Sequence, residues 1–279
     1  MQTYSRRSLL GATATGLAVG AGGFLAGQAQ HSLPPNALAG QALETASAAA
    51  NGESVARYGT HRVVYSFAAT ENIAAISFDD GPDPRYTPRI LDALDKAGIK
   101  ATFFAMGYNA QLHKDILKDV VAAGHEVGNH TWSHLDQAYT TAKKTRLEIV
   151  DAKHVIEDII GQPTIGYRPP RGDISGYGLK VCAQLGYDVY IWSCTRGRGG
   201  VGTPKSVSTY IADTMQAGDV VDLHDSTGRG VFSPGEAFAK HLDACREVEV
   251  QALPQTLARI AAKGLRLCPV TTALPKMQA

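Results

Sequence analysis

Two short stretches of this sequence carry residue types that together could run a hydrolysis. His130-Thr131-Trp132-Ser133-His134 sets two imidazoles four residues apart. On a helical turn that spacing puts both on one face, where they can share a metal; such a pair is as often only a polar helix face. Ser77-Phe78-Asp79-Asp80-Gly81-Pro82 adds two adjacent carboxylates where an apolar run must turn sharply. Adjacent acids repel unless a cation or a donor compensates them, and the plain alternative is a solvated Asp-Asp turn. One carboxylate with two histidines is the ligand set of a catalytic hydrolytic metal, with positions left open for water and substrate.

The elements that must position these groups alternate in type. Apolar runs at Ile73–Phe78, Thr102–Ala105, Glu126–Asn129, Ile165–Tyr167, Asp188–Trp192, Val220–Leu223 and Leu265–Leu267 predict strands. Helices are expected at Thr87–Ala97, Asp115–Ala123 and around Thr141–Ile160, with others ending at Gly186, Gly218 and Gly264. Strand–helix alternation means parallel strands joined by crossover helices, and about seven units point to a distorted (β/α) barrel, with an open sheet as the alternative. Asp79-Asp80 follows the first strand, His130 the third, Arg168 closes the fourth and His224 the penultimate one. Polar groups gathered at the C-terminal ends of parallel strands are the layout of a barrel active site. Asp225 reads as a cap on the turn after His224, and His113 and His125 read as structural or exposed.

Phe78-Asp79-Asp80-Gly81-Pro82, His130-Thr131-Trp132-Ser133-His134 and Arg168-Pro169-Pro170-Arg171-Gly172 resemble the first three motifs of the polysaccharide deacetylase family, also called the NodB-homology family. Ala101-Thr102-Phe103-Phe104 and Gly124-His125-Glu126-Val127-Gly128-Asn129 are similar to family sequence too, and the likeness spans Ala74 to Cys268. The resemblance implies a NodB-homology fold and a metal-dependent hydrolase that removes N- or O-linked acetyl groups from a carbohydrate. It implies Asp79 as catalytic base, Asp80, His130 and His134 as ligands of a divalent metal, usually zinc, and Arg168 as the arginine that orients the base. The backbone N–H of Arg171 would help hold the oxyanion, and His224 would be the general acid. The expected substrate-binding residues are Arg171, Pro170, Trp132, Trp192 and Asp222.

The chain departs from the family at three places. Arg171 stands where an aromatic is usual, which adds a cation to the cleft. In Ser193-Cys194-Thr195-Arg196-Gly197-Arg198-Gly199-Gly200, Arg198 replaces the aspartate that tunes the acid histidine, and a cation there would lower the His224 pKa. Asp222 stands where a leucine lines the acetyl-methyl pocket. Side chains two apart on a strand share a face about 7 Å apart, so Asp222 is expected to take over the missing carboxylate's role beside His224, or to pair with Arg198 or Arg171. The alternative is a plain substitution at an enlarged pocket. These departures keep two further functions open: hydrolysis of another acyl group or a small amide, and glycan binding with lost turnover.

Of the 279 residues 44% are hydrophobic, enough for one sizeable core. Residues 1–39 predict a twin-arginine export signal: Arg6-Arg7, then an apolar stretch from Leu9 to about Ala26, with cleavage after Ala29 or, better, Ala39. A retained membrane anchor is the alternative. Residues 40–62 predict a linker or disordered N-terminus and 63–279 the catalytic domain. Removing residues 1–39 takes away Arg6 and Arg7 and no acid, turning the net charge from +1 to −1. No basic run favours nucleic acid, and no other stretch favours a membrane. A periplasmic, cell-wall or secreted monomer acting on a carbohydrate is therefore expected. Cys182, Cys194, Cys245 and Cys268 lack Cys-x-x-Cys spacing, so they are buried thiols or hold one disulfide.

Overall fold

The structure is a computed structural model and describes residues 62–197 and 200–274. The export signal, the expected linker up to residue 61 and Arg198 lie outside the described residues, whereas Arg62 is described and pairs with Asp188. Strand β1 is Val63–Val64 and β2 is Ile73–Asp79; β3 is Thr102–Ala105, β4 Glu126–Asn129, β5 Val189–Tyr190, β6 Cys194–Thr195, β7 Val220–His224 and β8 Arg266–Cys268. Helices α1 (Thr87–Ala97), α2 (Gly107–Leu112), α3 (Lys114–Ala122), α4 (Ala142–Ile160), α5 (Gly176–Leu185), α6 (Pro204–Thr214), α7 (Ala237–Ala262) and α8 (Val270–Ala273) run between and after them. None of the described helices is long and apolar enough to cross a membrane.

Strand β2 is buried along nearly its whole length because its sequence is apolar on both faces, as a central parallel strand requires. It pairs with β3, β7 and β8, all in parallel, in a sheet ordered β4-β3-β2-β7-β6, with β8 beside the start of β2. Phe78 stacks on Phe103 at 5.1 Å between ring centroids. Ile90 and Leu94 of α1 and Leu253 and Leu257 of α7 join the same core. Burying each such side chain contributes roughly 1.5–3 kcal/mol.

The strand expected at Ile165–Tyr167 is reduced to single-residue parallel bridges, Tyr167 to Asn129 and Tyr167 to Val189. Gly166 and the prolines explain it. The Gly166 backbone passes so close to the Asp188 carbonyl that a Cβ would sit 2.7 Å from that oxygen, and Pro169-Pro170 offers no N–H to extend a ladder. These bridges join β4 to the 189–195 segment, whose far end, β6, pairs with β7. The result is a parallel-strand α/β fold in the form of a distorted, incompletely laddered barrel. α6 ends at Thr214 rather than at Gly218. The four cysteines are all free and buried, so no disulfide forms among them.

Register does the positioning. Asp79 lies opposite Phe104 on one side and His224 on the other, and Ala105 lies opposite Asn129. Because Asn129 bridges Tyr167, the next residues on each strand, His130 and Arg168, reach the same C-terminal edge as Asp79 and His224.

Candidate active site

Four non-glycine residues among those described have positive φ: Asp80 (82°), Thr131 (69°), His134 (54°) and Arg171 (60°). All four lie in loops at this one edge. Each such conformation costs of order 1–3 kcal/mol and persists only where the surroundings impose it. At Asp80 they do: its carbonyl accepts from Asn109 Nδ2 at 2.7 Å, and the Gly81 N–H donates to Asp225 Oδ1 at 2.8 Å. Thr87 Oγ1 donates to the other Asp225 oxygen at 2.7 Å. A Cβ on Gly81 would lie 2.0 Å from that carboxylate, so the turn requires glycine. Asp225 therefore braces the loop after β2, not its own following turn as the sequence implied.

The segment from His130 to His134 is not helical. Its turn is fixed by the Thr131 N–H on Asn129 Oδ1 (2.8 Å), the His134 N–H on Thr131 Oγ1 (3.1 Å), and the Ser133 N–H and hydroxyl on buried Glu148 (2.8 Å each). The two rings still meet, with centroids 5.1 Å apart. They converge through left-handed backbone at Thr131 and His134, which the helical reading of the spacing did not anticipate.

One ligand atom each from Asp80, His130 and His134 lies within 4.8 Å of the others. Asp80 Oδ1 is 3.5 Å from His130 Nε2 and 3.4 Å from His134 Nε2. It is buried with no hydrogen-bond donor among the described residues. His130 Nδ1 is 2.9 Å from the Arg168 carbonyl. A carbonyl only accepts, so the proton sits on Nδ1 and Nε2 is left to coordinate, the usual arrangement behind a metal-bound histidine. Burial pushes the His134 imidazole down to about 4, so it stays neutral near pH 7. Burial would raise the Asp80 carboxyl, but His134 and His130 outweigh it and hold it well below the usual range. An undonated buried carboxylate oxygen facing two imidazole nitrogens fits a divalent cation. Gly228, with φ of 54°, leaves the room: a Cβ there would lie 2.7 Å from Asp80 Oδ1.

Arg168 is fully buried. Its Nη1 donates to Asp79 Oδ1 and to Ser77 Oγ, both at 2.7 Å, and lies 3.4 Å from Asp222 Oδ1. Nη2 donates to the Ile191 carbonyl at 3.1 Å, and the guanidinium sits 4.1 Å from the Phe104 ring centroid. A cation this deep is tolerable only when paired and hydrogen-bonded; it holds Asp79 by Oδ1, while Asp79 Oδ2 lies 3.6 Å from His130 Nε2.

Asp222 does face the cleft, 3.9 Å from His224 Nε2 through Oδ2. Its shorter contact is to Arg168, an ion pair outside the expected set of His224, Arg198 and Arg171. Burial, with Asp79 adding to it, pushes the Asp222 carboxyl up to about 7. The carboxylate nearest the other His224 nitrogen is one the sequence did not single out: Glu249 Oε2 is 3.4 Å from Nδ1 and accepts from the His224 N–H at 3.0 Å. Burial and Arg246 pull the His224 imidazole down, but Asp222 and Glu249 outweigh them and raise it to about 9. Among the described residues two carboxylates set the direction of the shift; Arg198, from which a downward effect was expected, lies outside them. The signal for Glu249 was faint: Arg246 and Glu249 are three apart in α7, the spacing of a same-face pair, yet both are buried where an exposed pair would be ordinary.

Asp79, Asp80, His130, His134, Asp222 and His224 line a cleft of 510 Å³ that also takes in Arg171, Trp192 and Arg229, while Arg168 and Glu249 stand behind it. The Arg171 side chain is exposed and 3.5 Å from Asp136. Two expected substrate contacts are not among the lining residues. Trp132 packs behind the ligand loop against Gly107, where a Cβ would come within 2.7 Å of the indole. Pro170 is buried in the short turn Pro170–Gly172 and shapes it instead. His125 is structural, its Nδ1 accepting from the Ala101 N–H at 3.0 Å.

A family model described as polysaccharide deacetylase matches residues 68–190. A peptidoglycan-N-acetylglucosamine deacetylase of Bacillus cereus is 36% identical over 168 residues, which is 60% of this chain and 78% of that protein. A second Bacillus cereus protein of the same description is 30% identical over 208 residues, 74% of this chain and 70% of its own length. Among solved structures, a peptidoglycan N-acetylglucosamine deacetylase in complex with 4-naphthalen-1-yl-N-oxidanyl-benzamide matches with a TM-score of 0.67 at 26% identity, covering 77% of this chain and 93% of that one.

Proposed function

This chain belongs to the polysaccharide deacetylase family, and from that premise we propose that it is a metal-dependent hydrolase removing acetyl groups from a cell-wall or other extracellular carbohydrate. The observation that carries the reading is the convergence, at one strand edge, of the Asp80–His130–His134 cluster with an Asp79 carboxylate clamped by buried Arg168. The two Bacillus cereus relatives are peptidoglycan-N-acetylglucosamine deacetylases, which puts N-acetylated glucosamine glycans first among substrates and an amide before an ester. The twin-arginine signal read from residues 1–39 supports export to the wall or the medium.

In this reading Asp80, His130 and His134 hold a divalent cation, with zinc the first choice for a two-imidazole, one-carboxylate set. Such a cation supplies Lewis-acid polarisation of the acyl carbonyl and acidifies water towards neutral pH. Asp79 takes the proton of the attacking water, and Arg168 holds its carboxylate in place through the 2.7 Å contact. The Arg171 N–H donates to the oxyanion as charge develops there. His224, protonated below about 9, gives its Nε2 proton to the leaving amine or alkoxide as the acyl bond breaks. One water is consumed, and acetate and the free amine or alcohol leave. Arg171 and Trp192 at the rim, with Asp222 deeper in, are the side chains placed to contact the sugar or its acyl group.

The test is acetate release from acetylated glucosamine oligomers, peptidoglycan and acetylated xylan by protein stripped of metal and then reloaded. Release that returns with zinc or cobalt supports the reading. Metal uptake without release from any of them would contradict it and favour a binding protein.

A further inference from the structure

Glu249 stands out among the buried charged groups because both of its oxygens are committed. Oε2 accepts from the His224 backbone N–H at 3.0 Å and lies 3.4 Å from Nδ1 of the same ring. That ring nitrogen is buried and has no hydrogen-bond partner among the described residues, so Glu249 is the acceptor placed to receive its proton. Oε1 accepts from Arg246 Nη1 at 3.0 Å and is 3.1 Å from Arg196 Nε. Arg246 is itself pinned, its Nε donating to the Ser226 carbonyl at 2.6 Å and its Nη2 lying 3.4 Å from Asp80 Oδ2. Rotating the carboxylate would break its contacts to both guanidinium groups, and buried ion pairs are costly to break.

We infer that Glu249 is a positioning residue for the hydrolysis: it grips the backbone and Nδ1 of His224 together, so that Nε2 faces the cleft. The inference rests on the reading of His224 as the acid. In the transfer, the Nε2–H bond breaks as the leaving group's N–H or O–H bond forms. The Nδ1 proton stays towards Glu249, which remains ionised throughout. Long contacts of this kind are common before substrate binds. Glu249 takes the part that the resemblance gives to an aspartate in the fourth motif, but from a helix that follows His224 in the chain. The groups facing His224 are Asp222 from β7 and Glu249 and Arg246 from α7, with the Asp80 carboxylate acting on it through its charge and His134 neutral near pH 7. Of these, only Glu249 meets Nδ1. The bland alternative is that Glu249 merely neutralises Arg246 and Arg196 inside the fold.

Glu249→Gln keeps the shape and removes the charge, and Glu249→Asp keeps the charge at shorter reach. The metal-loaded proteins would be compared in kcat and KM against pH on acetylated glucosamine oligomers. His224 would be followed separately by nitrogen-15 NMR, its signal identified with His224→Gln. We expect Glu249→Gln to lose kcat roughly 10- to 100-fold with KM little changed. Its alkaline limb should move down by about one pH unit or more, because an opposite charge beside the ring is gone. Glu249→Asp should restore much of the limb's position. A Glu249→Gln variant that melts earlier but keeps the wild-type pH profile would overturn the inference, leaving Glu249 a structural brace. If the wild type releases no acetate, the hydrolysis reading fails while the NMR arm still decides this contact. A wild-type His224 that titrates as free histidine does overturns it, even if Glu249→Gln does not fold.

Discussion

On one side of the cleft His130 and His134 share a five-residue loop tied down by close neighbours in the chain, Asn129, Thr131 and Glu148. On the other side His224 takes its support from Glu249 and Arg246, a helix further on. The first arrangement is local: its two histidines, their strained turn and the braces of that turn come from one stretch of chain, Asn129 to Glu148. The second is assembled only when α7 packs across the end of β7. A metal side built locally and an acid side built at long range should fail in different ways when cut.

The largest effect expected follows from that division. His134→Ala should cost metal affinity more than the roughly 10- to 100-fold typical of residues one layer out, and activity with it. His224→Ala should leave metal affinity unchanged and lower kcat by roughly 10²–10⁴-fold. Calorimetric zinc titration beside acetate release separates the two. Equal loss of metal in both variants would break the comparison, because the two sides would then be one cooperative unit.

The same division explains what was legible in the sequence. Strand β2 and helix α1 could be bounded closely because an unbroken apolar run and a left-handed Gly98 cap are local signals. Asp79, Asp80, His130 and His134 stood out because their spacing is short. The conformation of that spacing was read wrongly: a four-residue interval fits a helix, and only the pairing of Asn129 and Glu148 with the loop makes it a strained turn. Trp132 was misplaced for the same reason, since a residue between two ligands can point either into the cleft or behind it. Its indole fills the space left by Gly107, a residue in a helix that the strand–helix pattern did not predict. The 165–167 rung lost its ladder to Gly166 and two prolines. Glu249 was barely readable: its three-residue spacing from Arg246 is an ordinary helix pair, and nothing near it in the chain announces a histidine 25 residues before it.

A smaller effect tests how local the metal side is. Gly228 lies beyond His224 in the chain yet sits against the Asp80 carboxylate, so with Asp225 and Arg246 it is one of the points where the second side reaches into the first. Gly228→Ala adds a methyl 2.7 Å from Asp80 Oδ1 at a backbone angle that disfavours a side chain. Zinc affinity should fall by roughly tenfold with the pH profile unmoved. Unchanged affinity would mean that the Asp80 carboxylate is free to give way.

The smallest effects come from the two tryptophans. Trp192→Ala should raise KM a few-fold and leave kcat nearly alone, as lost uniform binding does. Trp132→Ala should cost roughly 1–3 kcal/mol of stability without a comparable change in KM. Thermal melts and steady-state kinetics on one oligomer would show whether the assignments are reversed.

Most direct of all is the Asp79→Asn variant, assayed for bound zinc and for acetate release together. The account predicts full metal content, because Asp80, His130 and His134 are intact, with release lowered by roughly 10²–10⁴-fold. Release near the wild-type rate at full metal content would contradict it, since the carboxylate held by Arg168 would then not be the base.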